Sequence, residues 1–191
     1  MRSSDLYILT GAPGSGKTAI LDNIGADIRC VGEPAREILA EQRSIGGAGR
    51  HDRDPSLFVR LLLQRSIDKH EAAQAWEGAT VFDRGVPDCT AYATMMGIDP
   101  SPCILASEVY RYHGEVLILE PWEEIYSVDD ERTMSFADTI GFHEAIVHAY
   151  EQAAGQAQPW LATDRSHDRG AVRFQSALLG RPGARPGRPG C

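Results

Sequence analysis

Residues 11 to 18 read GAPGSGKT, a complete GxxxxGK[ST] pattern, and they follow directly on the apolar run Leu6, Tyr7, Ile8 and Leu9. A buried strand feeding a glycine-rich turn and then a helix is built to wrap an anion. Gly11, Gly14 and Gly16 let backbone N–H groups close around phosphate oxygens, where a β-carbon would obstruct the approach. Lys17 can reach the β- and γ-phosphates as a compact charge, and the Thr18 hydroxyl can enter the shell of a Mg²⁺ ion. With Ala12, Pro13 and Ser15 completing the loop, these residues are expected to bind ATP together with Mg²⁺. The helix expected to begin near Lys17 adds the positive end of its dipole. Lysine is scarce elsewhere: of 19 basic residues only Lys17 and Lys69 are lysines, so its placement in this loop is selective.

The rest of the chain alternates short apolar runs with helical patterns. Strands are expected at 6–10, 28–32, 79–83, 115–119 and 159–163, and helices at 18–25, 35–43, 55–76, 86–96, 102–112, 135–158 and 168–179. Between them, 45–53 (IGGAGRHDR) is glycine-rich and expected to be mobile. Such alternation implies an α/β fold of three layers, a five-stranded parallel sheet of order 2-3-1-4-5 with helices on both faces. Ligands then belong at the carboxyl ends of the strands. One domain over residues 1–180 and an unstructured Arg/Pro/Gly tail over 181–191 are expected.

A net charge of −8 argues against a nucleic-acid footprint. Cys30, Cys89, Cys103 and Cys191 have neither zinc spacing nor a paired arrangement, which suits reduced thiols in the cytoplasm. The first residues are too short and polar for a signal peptide, and no apolar run approaches a membrane span.

Three further groups carry chemistry. The third strand ends in VFDRG, which puts Asp83 where it can hold Mg²⁺ and Arg84 where it can touch a phosphate, although Asp83 can equally cap the next helix. The second strand ends in VGEPARE, so that Glu33 faces the place of an acceptor hydroxyl and can take its proton; a simple helix N-terminal acid would look the same. The polar stretch PWEEIYSVDDERTMSF suits a lid that delivers Arg132 to the transferring group, with Arg111 a weaker candidate. Trp122 and Tyr126 are candidates for lining an acceptor pocket, whereas His143 and His148 are poorly spaced for a metal pair.

GAPGSGKT, EPAREILAEQ, FDRGVPDCTAYA and PWEEIYSVDDER, followed by an acidic amphipathic helix, resemble the small P-loop family described as an AAA-type ATPase or predicted kinase domain. The layout is similar to the nicotinamide riboside kinase domain and, more distantly, to deoxynucleoside and thymidylate kinases. The resemblance runs from Leu6 to Leu179. It implies that the acid after the second strand, Glu33, is a general base and that the arginine after the third, Arg84, binds phosphate beside Asp83. One helix and a tail after the expected fifth strand suit a small kinase better than a ring-forming motor.

The expected activity is therefore transfer of the ATP γ-phosphate to a hydroxyl of a small metabolite: a nucleoside-like molecule, a cofactor precursor or an antibiotic. Lys17, Glu33, Arg84 and Arg132 are the catalytic candidates, Thr18 and Asp83 the metal ligands, and the base is either Glu33 or Asp83. The alternatives are an ATP-hydrolysing switch and a nucleotide-binding module without turnover. Guanine selectivity of the NKxD kind is excluded, since the single asparagine is Asn23.

Overall fold

The computed structural model describes residues 6–24, 28–113, 116–123 and 134–154. The expected fifth strand, the last helix, the tail and Arg132 lie outside the described residues, as does Tyr126.

Among the described residues four parallel strands form the sheet: β1 (Leu6–Gly11), β2 (Arg29–Val31), β3 (Thr80–Asp83) and β4 (Val116–Leu119), in the order β2-β3-β1-β4. That order reproduces the first four positions of the expected arrangement. Every residue of β1 is buried, because the strand is covered on both faces and its successive side chains point into different layers. Leu6 and Ile8 pack with Phe82, Val116 and Ile118 against Phe142, Ile146 and Tyr150 of α6 (Phe136–Ala154). Tyr7 and Leu9 pack with Val81, Leu117 and Leu119 against Ile20, Ile24 and Ile28, where α1 (Lys17–Asp22) lies.

A third apolar cluster joins α2 (Pro34–Ser44), α3 (Pro55–Ala73), α4 (Val86–Met95) and α5 (Ser101–Val109) through Ile38, Phe58, Leu62, Cys89 and Cys103. It fills the space beyond the β2 and β3 tips. Proline begins α2 and α3, where its fixed φ suits the first turn, and Asp54 caps α3 by accepting from Leu57 N at 2.9 Å. No helix among the described residues is long and apolar enough to cross a membrane.

The glycine-rich stretch after α2 is more tightly held than its composition implies. The Gln42 side chain accepts from Gly49 N at 3.0 Å, and Gly47 N donates to the Gln42 carbonyl at 2.8 Å. One residue thus ties both arms of the turn to the end of α2, a device that glycine content alone does not reveal.

Candidate phosphate-binding and acceptor site

The first strand delivers the chain to the loop with no room to spare. A Cβ on Gly11 would sit 2.5 Å from the Leu119 carbonyl oxygen of β4, and Gly14 and Gly16 have φ of 78° and 85°. Glycine is the only residue that meets both demands cheaply. Lys17 is 6% exposed and makes no ion pair among the described residues; its ammonium rests instead on the Gly11 and Ala12 carbonyls at 3.0 and 3.1 Å. Burial, with Arg84 nearby, lowers its pKa from 10.5 to about 8.

Asp83 closes β3 beside Leu9 in the parallel register, next to the start of the loop. It does not cap α4; Asp88 does, accepting from Gly85 N at 2.9 Å. Asp83 is 8% exposed, and its Oδ1 has no hydrogen-bond partner among the described residues. Burial, and then the charge of Glu33, raise its pKa. A buried acceptor left unpaired costs stability, and a cation beside it would remove that cost. Thr18 lies exposed in α1, on the same cavity as the loop.

Arg84 is the centre of the site. It is the one non-glycine residue with positive φ, 73°, among the described residues, held there by a bond from its N to the Leu9 carbonyl at 3.0 Å. Such backbone strain persists only where the surroundings enforce it. Its side chain is 3% exposed and reaches Glu33 at 2.8 Å and Asp88 at 3.1 Å, with the Thr10 hydroxyl at 3.4 Å. The guanidinium carbon also lies 5.7 and 5.6 Å from the ring centres of Tyr92 and Phe142, within cation–π range. Asp88 in turn accepts from Thr10 and from the Tyr150 hydroxyl, each at 2.5 Å. Two carboxylates, a hydroxyl and two aromatic rings thus surround the buried cation.

Glu33 is the N-cap residue of α2, yet its carboxylate makes no cap bond. It turns to Arg84 on one oxygen and to Arg36 at 2.9 Å on the other. Burial pushes its pKa up, but the charges of Arg84 and Lys17 outweigh that and bring it from 4.5 down to about 2. A depressed carboxylate contributes stability that is full above the unfolded pKa and is lost as pH falls toward the folded one. Glu33→Gln should therefore cost stability near pH 6 and cost progressively less from about pH 4.5 down to about pH 2. Urea unfolding of both proteins at several pH values reads this, and a pH-independent difference would refute it.

The β2–α2 turn that carries Glu33 is clamped from behind. Lys69 of α3 donates to the Gly32 carbonyl at 2.9 Å and pairs with Glu37 at 2.5 Å, while Arg65 pairs with Glu41 at 2.7 Å.

The phosphate loop, Glu33, Arg36 and Arg84 line one cavity of about 620 Å³ that continues into a space walled by Leu39, Phe58, Tyr92, Met96 and Phe142; Asp83 is not among its lining residues. Trp122 is not among its walls. The aromatic lining comes instead from helices whose side chains read as ordinary core in sequence. Arg111 also lies elsewhere, its guanidinium bonded to the Glu108 and Ala153 carbonyls. Among the described residues no group of three or more His, Cys, Asp or Glu side chains is arranged to hold a metal.

A glycine loop around a buried lysine, on a parallel sheet of order 2-3-1-4 among the described residues, defines a P-loop fold. The chain belongs to the AAA domain family, whose sequence profile matches residues 6–164. No curated protein matches it. Among solved structures it is similar to a deoxyadenosine kinase from M. mycoides with dCMP and dCDP bound, at 12% identity and a TM-score of 0.63, covering 92% of this chain and 100% of that one. It is also similar to NadR protein in complex with NR, at 14% identity and a TM-score of 0.64; 97% of this chain aligns, over about half (52%) of that longer protein. At these identities the likeness is one of fold.

Proposed function

We propose that this protein is an ATP-dependent phosphotransferase acting on a hydroxyl of a small molecule. The observation that carries the reading is the Glu33–Arg84 pair: two residues from different strand tips, joined at 2.8 Å on the wall of a cavity that continues beyond the phosphate loop. A protein that only binds or hydrolyses ATP has no need of an apolar chamber on the far side of its γ-phosphate. The fold shared with a deoxyadenosine kinase supports the same reading.

The roles follow from position. Residues Gly11 to Thr18 hold the triphosphate, with Lys17 moving from the loop carbonyls to the β- and γ-oxygens. Asp83 and Thr18 hold Mg²⁺, which neutralises charge on the phosphates. Glu33 receives the acceptor hydroxyl and orients it. The acceptor oxygen bonds to the γ-phosphorus, the bond to the β,γ-bridging oxygen breaks, ADP leaves, and the hydroxyl proton passes by way of Glu33 to water. A carboxylate of pKa about 2 is a weak base, but a loose phosphoryl transition state asks more for positioning than for basicity. Arg84 stabilises charge on the transferring group and keeps Glu33 ionised. Arg132, on the segment ahead of α6, is proposed to close over the same phosphate.

Incubation with γ-labelled ATP and pools of nucleosides, cofactor precursors and hydroxylated antibiotics tests the activity, and failure to label anything would overturn it. Glu33→Gln is expected to slow transfer by about 10² while MgATP binding survives. A transfer rate equal to wild type would remove Glu33 from the mechanism.

A further inference from the structure

The cavity changes character beyond Arg84. Its walls there are Leu39 from α2, Phe58 from α3, Tyr92 from α4, Met96 just after it, Met134 just ahead of α6, and Phe142 within α6. Tyr92 apart, the hydroxyl side chains that line the cavity among the described residues are Ser15 and Thr18, both in the phosphate loop, and no amide side chain lines it. Gln42, also on α2, accepts from Gly49 N and is not among the lining residues. A nucleobase brings several donors and acceptors along its edge; beyond Arg84 only the Tyr92 hydroxyl and the exposed Arg43, His51 and Asp138 could meet them, and against the methionine and phenyl groups they stay unpaired. The chamber instead suits an apolar, planar body packed against aromatic faces.

The charges on the same walls are unequal. Lys17, Arg36, Arg43 and Arg84 face Glu33 and Asp138, in a protein whose net charge is −8. Lys17 belongs to the phosphate loop, and Arg36 and Arg84 are both paired with Glu33. Asp138 is engaged by Ser135, from N at 3.2 Å and from Oγ at 2.6 Å. Arg43, in the last turn of α2, makes no ion pair among the described residues, and His51, whose ring lies edge-on to Phe58 at 6.0 Å, shares its cavity. Lys17 and Arg43 are thus the wall cations without a carboxylate among the described residues, and Arg43, an exposed side chain, is the one of the two outside the phosphate loop.

We infer that the chamber beyond Arg84 binds a hydroxylated aromatic acid, its ring among Phe58, Tyr92 and Phe142 and its carboxylate at Arg43. On the phosphotransferase reading above, on which its role as acceptor rests, this molecule presents its hydroxyl to Glu33. The apolar walls supply affinity, and Arg43 discriminates acids from neutral alcohols of the same shape.

The test is a panel of hydroxymethyl- and hydroxyethyl-substituted benzoic, naphthoic and indole carboxylic acids, each matched to its methyl ester, with adenosine and thymidine alongside. Binding is measured by equilibrium dialysis without ATP, and transfer separately with γ-labelled ATP. The expected result is at least one acid bound about tenfold or more tightly than its ester, a preference that disappears in Arg43→Gln. Thermal melting of Arg43→Gln monitors its fold. Acids that bind no better than their esters, binding by neither included, overturn the inference. A preference that survives Arg43→Gln, or nucleosides bound more tightly than every acid, does the same. If acids bind through Arg43 but nothing in the panel is labelled, nucleosides included, the chamber assignment stands and the phosphotransferase reading falls. If label appears on nucleosides alone, the phosphotransferase reading stands and the chamber assignment falls. Where an acid is a substrate, Arg43→Gln should raise its KM about tenfold and leave kcat unchanged.

Discussion

Lys17→Met is expected to lower phosphoryl transfer by about 10³ while leaving the protein at least as stable as wild type. The two halves of this expectation have one cause. The ammonium is 6% exposed, and burial has already lowered its pKa to about 8, which means that the folded protein bears a cost for keeping it charged. It has no carboxylate within ion-pair range among the described residues and leans on two carbonyls of its own loop. Methionine fills similar volume without that cost. The polyphosphate, however, loses the one mobile cation that can follow charge as it moves to the bridging oxygen. Labelled-phosphate transfer and urea unfolding on the same preparation check both halves. Unimpaired transfer would remove Lys17 from the site, and a large loss of stability would show that the lysine holds the loop together rather than waiting for a ligand.

Arg84→Met is expected to have the opposite profile, a severe loss of stability of about 3–5 kcal/mol. The side chain joins Glu33 and Asp88, whose own side chains are 9% and 2% exposed, so removing the cation strands two buried carboxylates. Each would have to take up a proton or admit water, and both routes weaken the packing of α2 and α4 on the sheet. The Tyr150 hydroxyl and Gly85 N would still serve Asp88, but Glu33 would keep only the exposed Arg36. The urea midpoint reads the effect directly. Should Arg84→Met fail to fold, the pair of replacements Arg84→Met with Asp88→Leu removes one stranded charge and should recover part of the loss. A single variant as stable as wild type would mean that the network is solvated and carries no strain.

The contrast between these residues shows how much of the site can be read along the chain. Lys17 is legible because its neighbours in sequence are its neighbours in space: a loop of eight residues specifies its own geometry. Asp83 and Glu33 are legible at one remove, since each ends an apolar run and parallel strands gather their tips at one edge. Asp88 is not. In sequence it is an acid in the first turn of a helix, an ordinary cap, and its bonds to Thr10 and Tyr150 span 78 and 62 residues. Phe58, Tyr92 and Phe142 are hidden for the same reason. Each fits a helical apolar stripe, and a stripe does not say whether its last ring faces packed core or open cavity. Trp122 is the more conspicuous aromatic in sequence, being next to a strand end, yet it is 36% exposed and off the cavity wall.

The amino-acid order by itself determined the alternating strands and helices, the parallel sheet they imply and a phosphate loop at the end of the first strand. These depend on periodicity, glycine freedom and spacing, all of which act over a few residues. The packing of α2, α3, α4 and α6 decided the rest: Glu33 clamped between two arginines, Arg84 forced to positive φ, and a chamber with aromatic walls and the exposed Arg43 on its rim. Those features arise from contacts between residues far apart in the chain, and the energy of burying or pairing each group is set only when its distant partners arrive.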